Sequence, residues 1–186
     1  PNFYESYEMS ADATEFTFHM REGLKWSDGE DCDTEDVQFW FDTHYMDETI
    51  DYSPSWLEPL GEKGTITILD KYTFQWTFPH PNPLLPMYCA AEQTSWMHGS
   101  SNFVVPEHYL KTYHPSTGDQ AEIERLMAEH ELQSWDQLWN QGPLWYLRDP
   151  NRPVIWPWRT IVPAPADPLV LERNPYYWQV DTEGNQ

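Results

Sequence analysis

Phe16-Thr17-Phe18-His19-Met20-Arg21-Glu22-Gly23-Leu24-Lys25-Trp26-Ser27-Asp28-Gly29, continuing to Glu35-Asp36-Val37, is the stretch whose reading decides the fold. From Thr14 to Met20 the residues alternate strictly. Phe16, Phe18 and Met20 fall on one side, and Glu15, Thr17 and His19 on the other. A period of two is the mark of a half-buried strand. Asp28-Gly29 then reads as a turn. Asp33 can cap a helix, with Asp36 three residues on in the position of a capping box, although Asp is shorter than the usual Glu. Val37, Trp40, Phe41, His44 and Tyr45 recur at three- and four-residue spacing, so the helix should turn this stripe to the core. Strand, turn and capped helix read together as a structural unit, not a catalytic one.

Working outward, Thr65-Ile66-Thr67-Ile68-Leu69 passes through Asp70-Lys71 into Tyr72-Thr73-Phe74-Gln75-Trp76-Thr77-Phe78, a hairpin of β-branched and aromatic residues suited to a pleated surface. Asp51 to Gly61, with Pro54, Trp56 and Pro59, reads as a loop. Pro79, Pro81, Pro83 and Pro86 stop the second strand and leave room for only a short helix near Leu84 to Ala91. Pro106 can open a helix over Glu107 to Leu110. A longer helix is expected from about Asp119 to Glu131, with Ile123, Leu126 and Met127 as its stripe. Ser134 can cap another, bearing Trp135, Leu138 and Trp139. Gly142 to Pro168 reads as loop with a short strand near Val154 to Trp158. Leu169 to Arg173 reads as a strand that Asn174-Pro175 ends. The sequence shows no internal repeat, and the mixture predicts an α+β fold with mixed or antiparallel pairing and flanking helices.

Composition narrows the function. The 186 residues hold 31 Asp and Glu against 10 Lys and Arg, a formal charge of −21. Nucleic acid and anionic lipid are polyanions, so neither fits as a partner. A negative surface favours cationic or amine-bearing ligands, and equally serves solubility outside the cell. Hydrophobic residues make up 39% and there are 8 Phe, 11 Trp and 11 Tyr, which excludes wholesale disorder. No apolar run approaches the roughly 20 residues a membrane helix needs. The chain opens at Pro1 without a basic or apolar leader and ends in a polar stretch from Asp181 to Gln186, so both ends are expected to be cuts inside a longer protein. Cys32 and Cys89 are too few for a disulfide framework, and two separate buried thiols are the favoured reading.

The chemistry-bearing patterns are sparse. There is no nucleophile elbow, phosphate loop or dinucleotide glycine pattern. The seven histidines are scattered. His108 and His114 lie six apart, which does not align on a helix face, so no metal site and no cofactor are expected. Asp28 to Asp33 lacks the alternating ligands and closing Glu of a calcium loop. The tryptophans stand out instead. Trp40 and Trp76 sit on core stripes, whereas Trp56, Trp96, Trp145 and Trp156 fall in loops, where rings either plug gaps beneath the chain or stack on a ligand.

Four stretches together resemble one family. The opening block is similar to the signature of the family 5 extracellular solute-binding proteins, the oligopeptide, dipeptide and nickel binding components of ABC importers. Glu5-Ser6-Tyr7-Glu8 resembles the lead into that block, and Asp70-Lys71-Tyr72-Thr73-Phe74 the later hairpin. Leu169 to Trp178 resembles the next landmark strand and turn. The sequence departs at Cys32, where the family has an apolar residue, and at Ile155-Trp156-Pro157-Trp158, which lacks a turn glycine.

The resemblance implies that residues 1–186 are one fragment of a two-lobed binding protein. It would be the first-lobe extension subdomain of a periplasmic-binding-protein-like fold (type II, cluster C), with 159–186 returning toward the core of the first lobe. It implies a non-enzymatic substrate-binding component for oligopeptides that closes its lobes on the solute and delivers it to a permease. The location would be extracytoplasmic, as a periplasmic protein or a cell-surface lipoprotein. The fragment alone is expected to bind solute weakly or not at all. Oligosaccharide uptake is the same-fold alternative, and a glycosidase-like hydrolase with paired carboxylates the alternative of another class. Trp56, Tyr88, Trp96 and Trp156 are the candidate ligand-facing residues.

Overall fold

Six strands and five helices carry the described part of the chain, which in this computed structural model comprises residues 4–50, 55–92, 103–140 and 142–185. The chain forms two compact units. One is built from residues 1–23 and 33–104, the other from 24–32 and 105–186. The opening block is therefore shared. Its strand and its capped helix belong to the first unit, and its turn to the second. The sequence pattern, which is local, does not mark this division.

The first unit is organised by a four-stranded antiparallel sheet, β1 (Tyr4–Met9), β2 (Glu15–Met20), β3 (Thr65–Asp70) and β4 (Thr73–Thr77), in the order β1-β2-β4-β3. Register makes the alternation physical. Ile66, Trp76, Phe16 and Met9 form one row across the four strands, and Ile68, Phe74, Phe18 and Tyr7 the next. Phe16, Phe18, Phe74 and Trp76 are buried, and the Phe18 and Phe74 rings stack at 5.3 Å. The opposite face carries Thr65, Thr77 and Glu15, then Thr67, Gln75, Thr17 and Glu8. Gln75 Nε2 donates to Thr17 Oγ1 at 3.2 Å across it. Cross-strand pairs of these two kinds are what stabilise a sheet with one dry face. Pattern reading did not find β1, because only Tyr4 of its six residues is buried and no alternation marks it.

Helix α1 (Thr34–Trp40) starts as expected. The Asp33 carboxylate accepts from Glu35 N at 2.9 Å while Asp36 Oδ2 accepts from Asp33 N at 3.1 Å. Asp does complete the reciprocal box, and both acids also favour the positive end of the helix dipole. The helix start is tied to the β3–β4 turn. Thr34 Oγ1 donates to Asp70 O at 2.9 Å, Thr34 N to Lys71 O at 3.1 Å, and Lys71 Nζ lies 3.6 Å from Asp33 Oδ2. Within that turn the Asp70 carboxylate accepts from Tyr72 N at 2.8 Å, and this bond foremost, with one from the Thr73 hydroxyl, holds its carboxyl below the ordinary value. After Trp40 the helix widens into a π-turn over Phe41–Tyr45. The whole predicted stripe, Val37, Trp40, Phe41, His44 and Tyr45, is buried. Helix α2 (Leu85–Glu92) follows the proline run.

The second unit is built from α3 (Glu107–Leu110), α4 (Gln120–Glu129), α5 (Asp136–Asn140) and a two-stranded antiparallel ribbon of β5 (Trp158–Val162) and β6 (Val170–Arg173). Asp119 caps α4 by accepting from Ala121 N and Glu122 N. The expected strand near Val154 to Trp158 is corrected: the strand begins at Trp158. Val154 and Ile155 are instead buried beside the opening turn, where Ser27 N donates to Val154 O and Val154 N to Ser27 Oγ, both at 3.0 Å. A β-branched, apolar pair in a short run carries no period to separate strand from buried loop.

The Asp28-Gly29 turn needs its glycine twice. Gly29 has φ +97°, and a Cβ there would lie 3.1 Å from the Tyr176 ring. The first and last landmark stretches of the sequence thus meet at this turn. Asn174 completes the junction, wholly buried, with Nδ2 donating to Trp156 O at 2.9 Å and Val154 O at 3.3 Å. Lys25 pairs with Asp31 across the same turn. Arg152 is buried and donates through one guanidinium nitrogen to Trp139 O at 2.7 Å and Leu144 O at 2.8 Å. Burial pulls its pKa down to about 10, so the cation persists at neutral pH. Cys32 and Cys89 are both buried thiols.

Candidate functional site

Of the four candidate ligand-facing residues, the structure brings two together. Trp56 stands in a 3-10 turn (Ser55–Leu57) and Tyr88 on α2, and their rings stack at 5.8 Å between centroids and 25° between planes. Both rings are half-buried. Trp156 belongs to the second unit, also half-buried, where its carbonyl accepts from Asn174. Trp96 lies outside the described residues.

Side-chain hydrogen bonds hold the Trp56 turn on two sides. Leu57 is buried next to it. The Tyr45 hydroxyl donates to Leu57 O at 2.7 Å and accepts from Gly64 N at 2.8 Å, pinning both ends of the loop. Burial drives that phenol well above its ordinary range, so it remains a neutral donor at any physiological pH. Lys63 Nζ donates to Tyr45 O at 2.6 Å and sits 5.2 Å from the Tyr45 ring centroid. On the other side Asn82, buried between two prolines, donates through Nδ2 to Trp56 O at 2.8 Å and through its backbone N to Ala13 O at 2.8 Å.

Beneath the pair lies an aromatic floor. Phe103 is 5.9 Å from Trp56, 5.4 Å from Trp40 and 5.4 Å from Trp76 between ring centroids. Trp76 in turn meets Tyr45 edge-on at 5.3 Å. Tilted and edge-to-face contacts of this kind are favoured over face-to-face sandwiches by the ring quadrupoles. Trp56 is thus packed between Tyr88 and Phe103, with the Trp56 and Tyr88 side chains half-exposed. Sequence reading missed Phe103 and Asn82. Phe103-Val104-Val105 is a buried apolar run before Pro106, and that run was a legible core signal. Nothing in the residue type of Asn82 announces a loop clamp, though flanking prolines announce a rigid loop.

Among the described residues no group of three or more His, Cys, Asp or Glu is gathered as a metal ion would require, and no helix is long and apolar enough to cross a membrane. Trp145, the remaining loop tryptophan, packs edge-on against Tyr146 at 5.3 Å and under the Arg148 guanidinium at 5.8 Å, which is structural use of the ring.

The chain is similar to known proteins along its whole length. The profile of the bacterial extracellular solute-binding proteins, family 5, middle region, matches residues 1–138. A periplasmic alpha-galactoside-binding protein of Rhizobium meliloti (strain 1021) is 33% identical over 187 residues, covering 100% of this chain and 24% of the relative. Among solved structures, an oligopeptide-binding protein OppA superposes with a TM-score of 0.81 at 32% identity, covering 100% of this chain and 28% of that one. The periplasmic binding protein MelB of Agrobacterium fabrum C58, solved with stachyose, superposes with a TM-score of 0.71 at 32% identity, covering 100% and 25%. The chain thus spans about a quarter of the length of these relatives.

Proposed function

The chain belongs to the bacterial extracellular solute-binding proteins of family 5, and from that premise we propose that it is part of the non-enzymatic, exported solute-binding component of an ABC importer. The parent protein closes two lobes around a solute and presents the closed form to a permease, a hinge motion in which the solute favours the closed state by binding it better. Residues 1–186 are one portion of the first lobe, and the solute site is completed by polypeptide beyond them.

The solute class supported best is an oligosaccharide carrying galactosyl units. The observation that carries it is the stacked, half-buried Trp56–Tyr88 pair packed over Phe103. The apolar face of a pyranose ring stacks on an aromatic ring, and rigid rings lose little entropy when they bind. Two relatives above 30% identity carry names or ligands of this class. The oligopeptide expectation stands as the second reading because of the OppA superposition.

Titration calorimetry on the full-length parent tests both. Stachyose is expected to bind in the micromolar range, and Trp56→Ala to weaken it at least about tenfold, the loss of roughly 1.4 kcal/mol. Binding of a di- to pentapeptide pool with no heat from stachyose would establish the second reading and end the first. The isolated 1–186 chain is expected to show no saturable heat with either.

A further inference from the structure

Glu58 follows the Trp56 turn directly, and its backbone is fixed from both sides. Its N–H donates to Ser55 O at 3.2 Å, and its carbonyl accepts from Gly61 N at 2.8 Å. It therefore stands at the joint between the 3-10 turn of Trp56 (Ser55–Leu57) and a second one over Pro59–Gly61. Pro59 after it disfavours the helical conformation. Tyr45, whose hydroxyl bonds Leu57 O and Gly64 N, is close enough to feel the Glu58 charge. Burial raises the Tyr45 phenol most, the bond from Gly64 N opposes this, and the Glu58 charge adds to the rise.

The Glu58 side chain is half-buried, and its Oε1 is shielded from bulk water without a hydrogen-bond partner among the described residues. Lys63 in the same loop gives its ammonium to Tyr45 O at 2.6 Å and to the face of the Tyr45 ring instead. A shielded carboxylate oxygen with no donor is among the least favourable polar groups a protein keeps, because its lost hydration is not replaced. Other carboxylates avoid this. Asp33, Asp36, Asp70 and Asp119 accept backbone N–H groups, and Glu62 faces His80 at 2.9 Å. Asp136 has a similarly shielded oxygen, but it stands in the first turn of α5, where the helix dipole favours an anion.

We infer that the Glu58 carboxylate is a solute-binding group that accepts hydrogen bonds from hydroxyls of the sugar stacked on the Trp56–Tyr88 pair. The inference rests on the oligosaccharide reading of that pair. A pyranose has an apolar face and a rim of O–H donors, so an aromatic ring suits the face and an acceptor beside it suits the rim. A carboxylate offers two oxygens and can accept from two neighbouring hydroxyls. Hydrogen bonds to an ionised acceptor are also shorter and stronger than neutral ones. Glu58 follows a turn that Tyr45 and Asn82 hold in place, so its acceptor is positioned before the solute arrives. A site that leaves such an acceptor unpaired in the free protein rejects solutes that bring no donor to it.

Glu58→Gln in the full-length parent tests it, read by titration calorimetry with stachyose and by the Tm of the unliganded protein. Affinity is expected to fall at least about tenfold. Tm without solute is expected to stay at or above the wild-type value, because the substitution removes a shielded charge that no described residue pairs. A structural role for Glu58 would lower Tm together with affinity, and that result would overturn the inference. Stachyose affinity within about twofold of wild type, while Trp56→Ala still loses about tenfold, would also overturn it and leave the oligosaccharide reading standing. Wild-type protein that gives no heat with stachyose would end both. Should the Gln variant not fold, Glu58→Asp, which keeps the charge and draws it back by one methylene, decides by the same two measurements.

Discussion

The four-stranded sheet and the β5–β6 ribbon are both antiparallel and both rich in β-branched and aromatic residues, yet they solve opposite problems. In the sheet every strand but the edge β1 alternates, and one face is finished with threonine, glutamine and glutamate. In the ribbon, apolar residues follow one another and stay exposed on both faces. The sheet has its solvent face written into the sequence. Among the described residues the ribbon keeps apolar side chains exposed on both faces, and Thr160 is its one buried residue. Propensity for strand is the same in both. What distinguishes them is whether the pattern has period two or none.

The largest test of this contrast is in the dry face. Trp76 is wholly buried and sits at the centre of a row from Ile66 to Met9. Trp76→Ala should cost about 3–5 kcal/mol, measured by denaturant unfolding, because a large cavity opens under Phe103 and Tyr45. Next is Leu171→Ala in the full-length protein, where cover by the parent's own chain predicts a cost of about 2–5 kcal/mol. A cost within the few tenths typical of surface sites would mean the ribbon stays open to water.

Smaller effects sharpen how the sheet is locked to its helix. Asp33→Ala removes the cap that joins α1 to the β3–β4 turn and should cost about 1 kcal/mol, with Asp33→Asn recovering most of it. Acid should loosen the same turn. The Asp70 carboxyl is held below its ordinary value by the bond from Tyr72 N, so its contribution is present above about pH 4 and lost as pH falls through its lower folded value. Asp70→Asn should flatten that part of the Tm–pH curve without affecting stability trends near neutrality. Least of all, Thr67→Ala on the polar face should stay within about 0.5 kcal/mol. A larger loss there would break the contrast by showing that the polar face is itself covered.

Much of this was legible in the residues. Phe16, Phe18 and Met20 announced β2, Tyr72 to Phe78 announced β4, and Asp33 with Asp36 announced the start of α1. Each of these signals is local, within a turn or two of the chain, and local physics decides them. The candidate site was only half legible. Tyr88 and Trp56 could be named as loop and short-helix aromatics, but their stacking needs Asn82 and Tyr45 to place the turn, and those contacts join positions 26 and 12 residues away.

By itself, then, the sequence determined most elements, though not β1 or the start of β5, together with the antiparallel pairing of its best hairpin and the family, because period, caps and turn residues act at short range. Only the tertiary structure decided that Gly29 must accommodate Tyr176, that Asn174 closes the junction with Val154 and Trp156, and that Ser27 exchanges bonds with a residue 127 positions on. Such contacts depend on which distant segments are brought together, and residue type carries no record of its partner. The same holds for the ribbon: the run Leu169-Val170-Leu171 reads as a strand, and only the tertiary structure shows that its side chains stay exposed among the described residues.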